Sequence, residues 1–399
     1  MRTRHLQQII ILGLELLAIN LLLISSSAIA HDPASADMAT AATRFLSSLT
    51  PEQLKQAAFK LEDAERQNWH FVPDRLIEPN GRNGISLKSM RADQKALAHA
   101  LPASALSHRG HLKAMTIMAL EKLLFDKEGD VNRDPERYYV SIFGTPDAHG
   151  TWAWRFEGHH LAINVTIVDG NQFSVTPSFM GSNPGKVADE ILAGTEVLKD
   201  EDEIALRLAK SLDAEQVKLA MIKDVTPYEL VDRERVVWEL LTNQNRSADR
   251  SKFQETGIPF AKLSSEQQTS LLQLANLYTG RFRAEVLAGT RYPTGIADGS
   301  KLTFAWLGGT EPGEHHYYRI QSDTFVIEFV NSRNDANHVH AVWREFDGDF
   351  GADLLGDHLR EHHSKQQHAA EQGQVTGVWR DIFNGKDLSG WKANAYPQS

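Results

Sequence analysis

His160-Leu161-Ala162-Ile163-Asn164-Val165-Thr166-Ile167-Val168 is the stretch whose reading decides the fold. Leu161, Ile163, Val165 and Ile167 alternate with Ala162, Asn164 and Thr166, and this period of two marks a half-buried strand. Asp169-Gly170 follows as a hairpin turn, with residues 172–177 returning alongside. Upstream, residues 138–143 and 152–156 are rich in aromatic and β-branched side chains, and the first of these runs ends at Gly144. A second β-rich block occupies 302–307, 317–321, 324–330 and 338–344.

Helical periodicity fills the space between. It predicts helices over 51–67, 91–101, 110–125, 186–198, 202–212, 213–221 and 264–279. Pro51 suits a first turn, and Asp213-x-x-Gln216 and Ser264-x-x-Gln267 read as capping boxes. The result is an α+β fold: a mixed or antiparallel sheet carrying histidines, with helices packed around it. The segments Trp152-Ala153-Trp154 and Gly158-His159-His160 are echoed by Phe304-Ala305-Trp306 and Gly313-Glu314-His315-His316. Either an internally duplicated α+β unit or convergent aromatic strand composition accounts for that echo.

The ends read differently. Arg2 and Arg4 precede an apolar run over 9–24, broken by Glu15 and Asn20, and Ser25-Ser26-Ser27-Ala28-Ile29-Ala30 has the small residues of a cleavage site. Residues 1–30 are therefore expected to be a signal peptide, and the protein periplasmic or secreted. A membrane anchor is the rival, but the run is short and interrupted by a charge. Residues 31–44 read as a flexible lead-in, 45–363 as the α+β body, 364–376 as a polar linker and 377–399 as the truncated start of a second domain. The polar stretch 243–257 reads as an internal loop.

Composition limits the chemistry. The chain has 399 residues, a net charge of −10, 17 histidines and no cysteine. An acidic chain without a concentrated basic face argues against nucleic acid as a partner. With no thiolate, any metal site must use imidazole, carboxylate, amide or water ligands. Eight histidines fall between His315 and His368. His338 and His340 leave the same face of a strand, so both can reach one ion. His315 or His316 is expected to be a third ligand, with a carboxylate from Glu328, Asp335, Asp347 or Asp349. Such a nitrogen and oxygen set suits zinc first, then iron, copper, nickel or manganese.

Around it, Glu328 or Asp335 is the expected proton acceptor, and Arg319 or Arg344 would steady an anionic group. Trp154, His159, His160, Tyr318, Asn337 and Trp343 would line a groove for a small-molecule or carbohydrate-like ligand. The aromatic row Trp152, Trp154 and Phe156 serves equally well as core. His159 and His160 face opposite sides of a strand, so only one can join a site unless the backbone turns there. His358-Leu359-Arg360-Glu361-His362 matches the H-x-x-E-H pattern of inverted zinc proteases, although an exposed histidine-rich helix is the better reading. His31, at the expected new N-terminus, would supply half of a copper brace only if a second histidine joined it.

Several of these segments together resemble the domain family of unknown function number 3500, across residues 45–363. They are Arg66-Gln67-Asn68-Trp69 through Arg82-Asn83-Gly84, residues 120–124, residues 154–160, and His315-His316-Tyr317-Tyr318-Arg319-Ile320-Gln321. Ile327-Glu328-Phe329, residues 334–344, Gly348-Asp349-Phe350-Gly351 and Asp353-Leu354-Leu355 complete the pattern. Val330 stands where the family pattern has an acidic residue. The resemblance implies an exported bacterial protein, brings no established reaction, and draws attention to His315, His316, Glu328, Asn337, His338 and His340. Residues 381–391 look like the opening of a 3-keto-disaccharide hydrolase domain, a concanavalin-like sandwich, which would set the chain near carbohydrate breakdown.

Two function classes follow. One is a metal-dependent hydrolase or lyase acting on a small polar or carbohydrate-like substrate. The other is a noncatalytic periplasmic module that holds its ligand without a metal, and a purely structural secreted domain stands behind both. Convergence of three ligands favours the enzyme; separated histidines favour the module.

Overall fold

The two β-rich blocks join in a single twelve-stranded sheet. The computed structural model describes residues 33–77, 81–129, 133–188, 192–222, 257–331 and 334–357. The first block contains β1 (Ala58–Phe59), β2 (Ile85–Ser86), β3 (Tyr138–Phe143), β4 (Trp152–Gly158), β5 (Leu161–Val168), β6 (Gln172–Ser174) and β7 (Ser178–Ser182). The second contains β8 (Ile258–Pro259), β9 (Thr303–Gly308), β10 (His316–Gln321), β11 (Phe325–Asn331) and β12 (Val339–Glu345). Strand order is β1-β3-β4-β5-β7-β12-β11-β10-β9-β8, with β2 on β3 and β6 on β5. Among the named strands of the described residues, only β1 and β3 pair in parallel. The expected mixed sheet with histidines is what forms, and β7 and β12 join its halves with His340 opposite Gly181.

Alternation sorts the side chains onto two faces. One face carries Trp152, Trp154, Phe156, Leu161, Ile163, Val165, Trp306, Tyr318, Phe329 and Trp343 into the main core. Among the described α-helices are α1 (Pro33–Ser48), α2 (Pro51–Ala57), α3 (Ala92–Ala105), α4 (His108–Glu128), α5 (Lys199–Lys210), α6 (Ala214–Ala220), α7 (Ser265–Thr279) and α8 (Ala284–Ala288). The opposite face is smaller and mixed. Phe179, Tyr317, Val330 and Val342 pack there against Trp69, Phe71, Val72 and Phe350. Beside them lie buried ion pairs, Arg155 with Glu65 and Glu157 and Arg344 with Asp349.

Three expected elements are corrected. Of the flexible lead-in expected over 31–44, the described part, 33–44, is helical, because helix α1 begins at Pro33. Ala34, Met38, Ala42 and Phe45 are fully buried along one stripe of it, and alanine-rich sequence suits a helix that packs closely. The helix expected over 51–67 stops at Ala57, where Ala58 turns extended to pair with Ile142. No helix forms in the described parts of 186–198. Gly194 adopts φ +84°, and Lys186 bridges Glu196 instead.

A pair of matching networks ties helix starts to neighbouring helices and 3-10 turns. Gln94 Nε2 donates to Ser48 O (2.7 Å) and Gln53 Oε1 (2.8 Å), while Gln53 Nε2 donates to Ser89 O (2.8 Å). In the second block Gln267 Nε2 donates to Ser211 O (2.8 Å) and Gln216 Oε1 (3.0 Å), while Gln216 Nε2 donates to Lys262 O (2.9 Å). Each of the four glutamines also caps its helix.

The described chain up to Leu355 forms one compact unit. No helix among the described residues is long and apolar enough to cross a membrane. The expected signal peptide, His31, residues 243–256 of the expected loop, the H-x-x-E-H pattern and the 364–399 tail lie outside the described residues.

Candidate metal centre

Strands β4 and β5 pair as far as Gly158 and Leu161, which leaves His159-His160 as a two-residue turn. The reversal falls on His160, at φ +63°, a conformation seldom adopted by side chains with a Cβ. The turn is fixed on several sides. Tyr138 Oη donates to His159 O (2.9 Å), His160 N donates to Phe71 O (2.9 Å), and Gly181 N donates to His160 O (2.8 Å). Because the chain turns here, both imidazoles sit together, stacked with centroids 3.8 Å apart.

The other half of the site comes from the β11–β12 connection. Asn334, Asp335 and Ala336 are all left-handed, with φ of 53°, 54° and 56°. Consecutive residues of this kind store backbone strain, of order 1–3 kcal/mol each, and such strain gathers at functional loops. The loop delivers His338, whose N–H donates to Asn331 Oδ1 (3.2 Å), one residue before β12. His340 follows within the strand.

His160, His338 and His340 bring ligand atoms within 4.8 Å of one another. The Nε2 atoms of His160 and His338 are 2.8 Å apart, and the His338 and His340 ring centroids 4.7 Å. Gly181 makes room for them. A Cβ there would lie 2.9 Å from His340 Cδ2 and 3.2 Å from His160 Cδ2. Burial, reinforced by His159, His338, His340 and Arg133, holds the His160 imidazole well below its ordinary pKa, so it is neutral and offers a lone pair at neutral pH. Three imidazoles within this reach could hold a divalent metal ion; tetrahedral zinc, with bonds of about 2.0–2.1 Å, would set its nitrogen ligands ~3.4 Å apart. A second group, Glu121, His159 and His160, overlaps the first. Glu121, on α4, sets Oε1 2.7 Å from His159 Nδ1, with Arg133 Nη1 3.6 Å from the same carboxylate.

The remaining expected site residues are spread more widely. His316 pairs with Asn331 and Tyr317 with Val330, while Val330 pairs with His340. His316 and His340 therefore face opposite sides of the sheet, and the ring beside His338 and His340 is that of His160 rather than His315 or His316. His316 lies between the Trp306 and Phe329 rings, with Nε2 2.7 Å from Asp202 Oδ1 and Nδ1 2.8 Å from Glu314 O. His315 precedes β10 and belongs to neither metal-capable group.

Trp154, Tyr318 and Trp343 are fully buried in the main core, so they line no groove; Tyr318 Oη lies 2.8 Å from Tyr278 Oη. Arg344 donates through Nε to Asp349 Oδ2 (2.8 Å). Arg319 and Glu328 are buried neighbours on β10 and β11. Tyr317 Oη donates to Glu328 Oε1 (2.6 Å), and burial pushes this carboxyl up to about 7. Asp335 is exposed. It joins Asn337 on the wall of a cleft of about 520 Å³, and Asn337 also lines a neighbouring cleft of about 330 Å³.

Sequence reasoning missed Gly181 and Glu121. A glycine inside a strand signals close approach by another group, but nothing near residue 181 says that the group is a pair of imidazoles. Glu121 reads as one more polar position on an amphipathic helix.

An α+β domain with histidines gathered at one end of its central strand pair is the class that fold and site define. The chain matches the family described as "Protein of unknown function (DUF3500)" over residues 32–352 and belongs to it. No curated protein and no solved structure matches. Nothing in these comparisons supports the concanavalin-like reading of residues 381–391.

Proposed function

We propose that His160, His338 and His340 bind one divalent transition ion, zinc before iron, copper, nickel or manganese, in a metal-dependent hydrolase or lyase of the periplasm or cell exterior. The convergence of three imidazoles from two distant segments carries this reading. Bound there, the ion would supply Lewis acidity. The protein's own contributions support the assignment. Glu121 and the Tyr138 hydroxyl hold the His159-His160 turn, Gly181 leaves space for two rings, and the single proton shared between His160 and His338 is one that an ion would displace. Asp335 and Asn337, which share a cleft wall with Asp202 and Val339, would contact the polar groups of a small or carbohydrate-like substrate.

The test is metal content by mass spectrometry on tag-free protein lacking residues 1–30, against a His338→Ala/His340→Ala double variant and a His160→Ala variant. About one ion per chain in the parent and none in the variants is expected. Empty parent protein after exposure to all five metals, with folding intact, would favour the noncatalytic ligand-binding module.

We also infer that the two β blocks are copies of one unit. The matched glutamine networks support this, as does the mirrored strand order about the β7–β12 pair. In that correspondence β4 answers to β10, so the echo between residues 152–154 and 304–306 is out of register. The histidines then mark a single end of a near-symmetric sheet.

A further inference from the structure

Beside β2 and β3, away from the His160, His338 and His340 cluster, the wall of a cleft of about 400 Å³ carries Arg75, Arg82, Lys88 and Arg137 together with Asp74, and Asp134 pairs with Lys88. Four cations around one cleft stand out on a chain of net charge −10. Asp74 is already engaged, because Arg82 pairs with it, Tyr139 Oη donates to it (2.6 Å), and Arg137 Nη1 lies 3.5 Å away.

Arg82 builds the wall. Its side chain is wholly buried, and Nη2 donates to His70 O (3.2 Å) and Val72 O (2.8 Å). The other cations face solvent. Lys88 reaches Asp134 at 2.6 Å while remaining 59 % exposed, and Arg137 is 34 % exposed. Arg75 is exposed and makes no hydrogen bond or ion pair among the described residues. The field of this region acts on His70, which burial, then Arg82 and Arg155, push down to about 4.

We propose that this cleft is a binding site for a small solute bearing an oxyanion group, a phosphate, sulfate or sugar carboxylate, held by Arg75 and Arg137 with Lys88 at the rim. Guanidinium forks match such oxygens in pairs, and charge-assisted bonds of this kind are about twice as strong as neutral ones. Asp74 is held by Arg82, which also faces Glu157, and by the Tyr139 hydroxyl, and it sets Arg137 at the mouth. The site is independent of the metal reading, since none of its residues belongs to the histidine groups.

Calorimetric titration of the full chain without residues 1–30 tests it, using sodium phosphate, sodium sulfate, galacturonate and neutral galactose at ionic strength matched with sodium chloride. Saturable binding of at least one anion, absent for galactose and chloride, is expected, and the anion that binds identifies the source of the oxyanion. An Arg75→Ala/Arg137→Ala double variant should lose about 10-fold or more in affinity, while Lys218→Ala on α6 leaves it unchanged. Arg75→Ala alone keeps the test valid if loss of Arg137 disturbs folding, because Arg75 has no partner to lose. No saturation by any of the three anions, or equal binding by the Arg75 variants, overturns the proposal.

Discussion

His160 Nε2 lies 2.8 Å from His338 Nε2, across 178 residues of chain. Two imidazole nitrogens at that distance hold one proton between them, or exchange it for a metal ion that draws both lone pairs together. Zinc should therefore stabilise the parent protein and not a His338→Ala variant. At an ion concentration of one hundred times Kd the gain is about 2.7 kcal/mol. Differential scanning fluorimetry with and without zinc measures it, and an equal shift in both proteins removes His338 from the site.

Gly181 should be the most sensitive position that carries no ligand. A methyl there meets His340 and His160 within 2.9 and 3.2 Å, on a strand pinned by pairing with β12. Gly181→Ala is expected to weaken metal binding by roughly 10-fold or more, as disturbance of a ligand's support does. Far-ultraviolet circular dichroism should stay unchanged. Parent-like affinity, read by competition with a chromogenic chelator, contradicts the cradle role.

Much of the fold was open to reading from the chain, because alternation over 138–168 and 302–344 is strong and local. The third histidine of the cluster was not. Whether His316 or His160 joins His340 depends on which sheet face each occupies, and that depends on register across β10, β11 and β12 and on a left-handed turn at His160. Register is a property of strand pairs, and no spacing within one segment contains it. Alanine-rich α1 was misread for a related reason, since its small buried stripe acquires meaning only when a partner surface is present.

The paired glutamines make the repeat testable. Gln94→Ala and Gln267→Ala each remove a helix cap and leave backbone carbonyls without their donor, at Ser48 or Ser211. Each loss should cost about 1–3 kcal/mol. Equivalent networks predict similar costs by urea denaturation. A large cost in one block and none in the other argues against equivalent units.

Glu328 gives a pH dependence with a definite sign. Burial raises its folded pKa from 4.5 to about 7, and its Oε2 has no hydrogen-bond partner among the described residues. Between those two values the folded state keeps a proton that the unfolded chain has released. Stability from this group therefore falls as pH rises through that window and levels off above about 7. At ~1.4 kcal/mol per pKa unit the full effect is on the order of 3 kcal/mol. Glu328→Gln keeps an acceptor for the Tyr317 hydroxyl and cannot ionise, so it should match the parent near pH 5 and exceed its stability at pH 8. Urea midpoints of both proteins at the two pH values decide the matter, because subtracting one protein from the other cancels the opposing contribution of His70, whose neutral form is favoured by folding. If the difference between the two proteins does not change with pH, Glu328 is not the group that holds this proton.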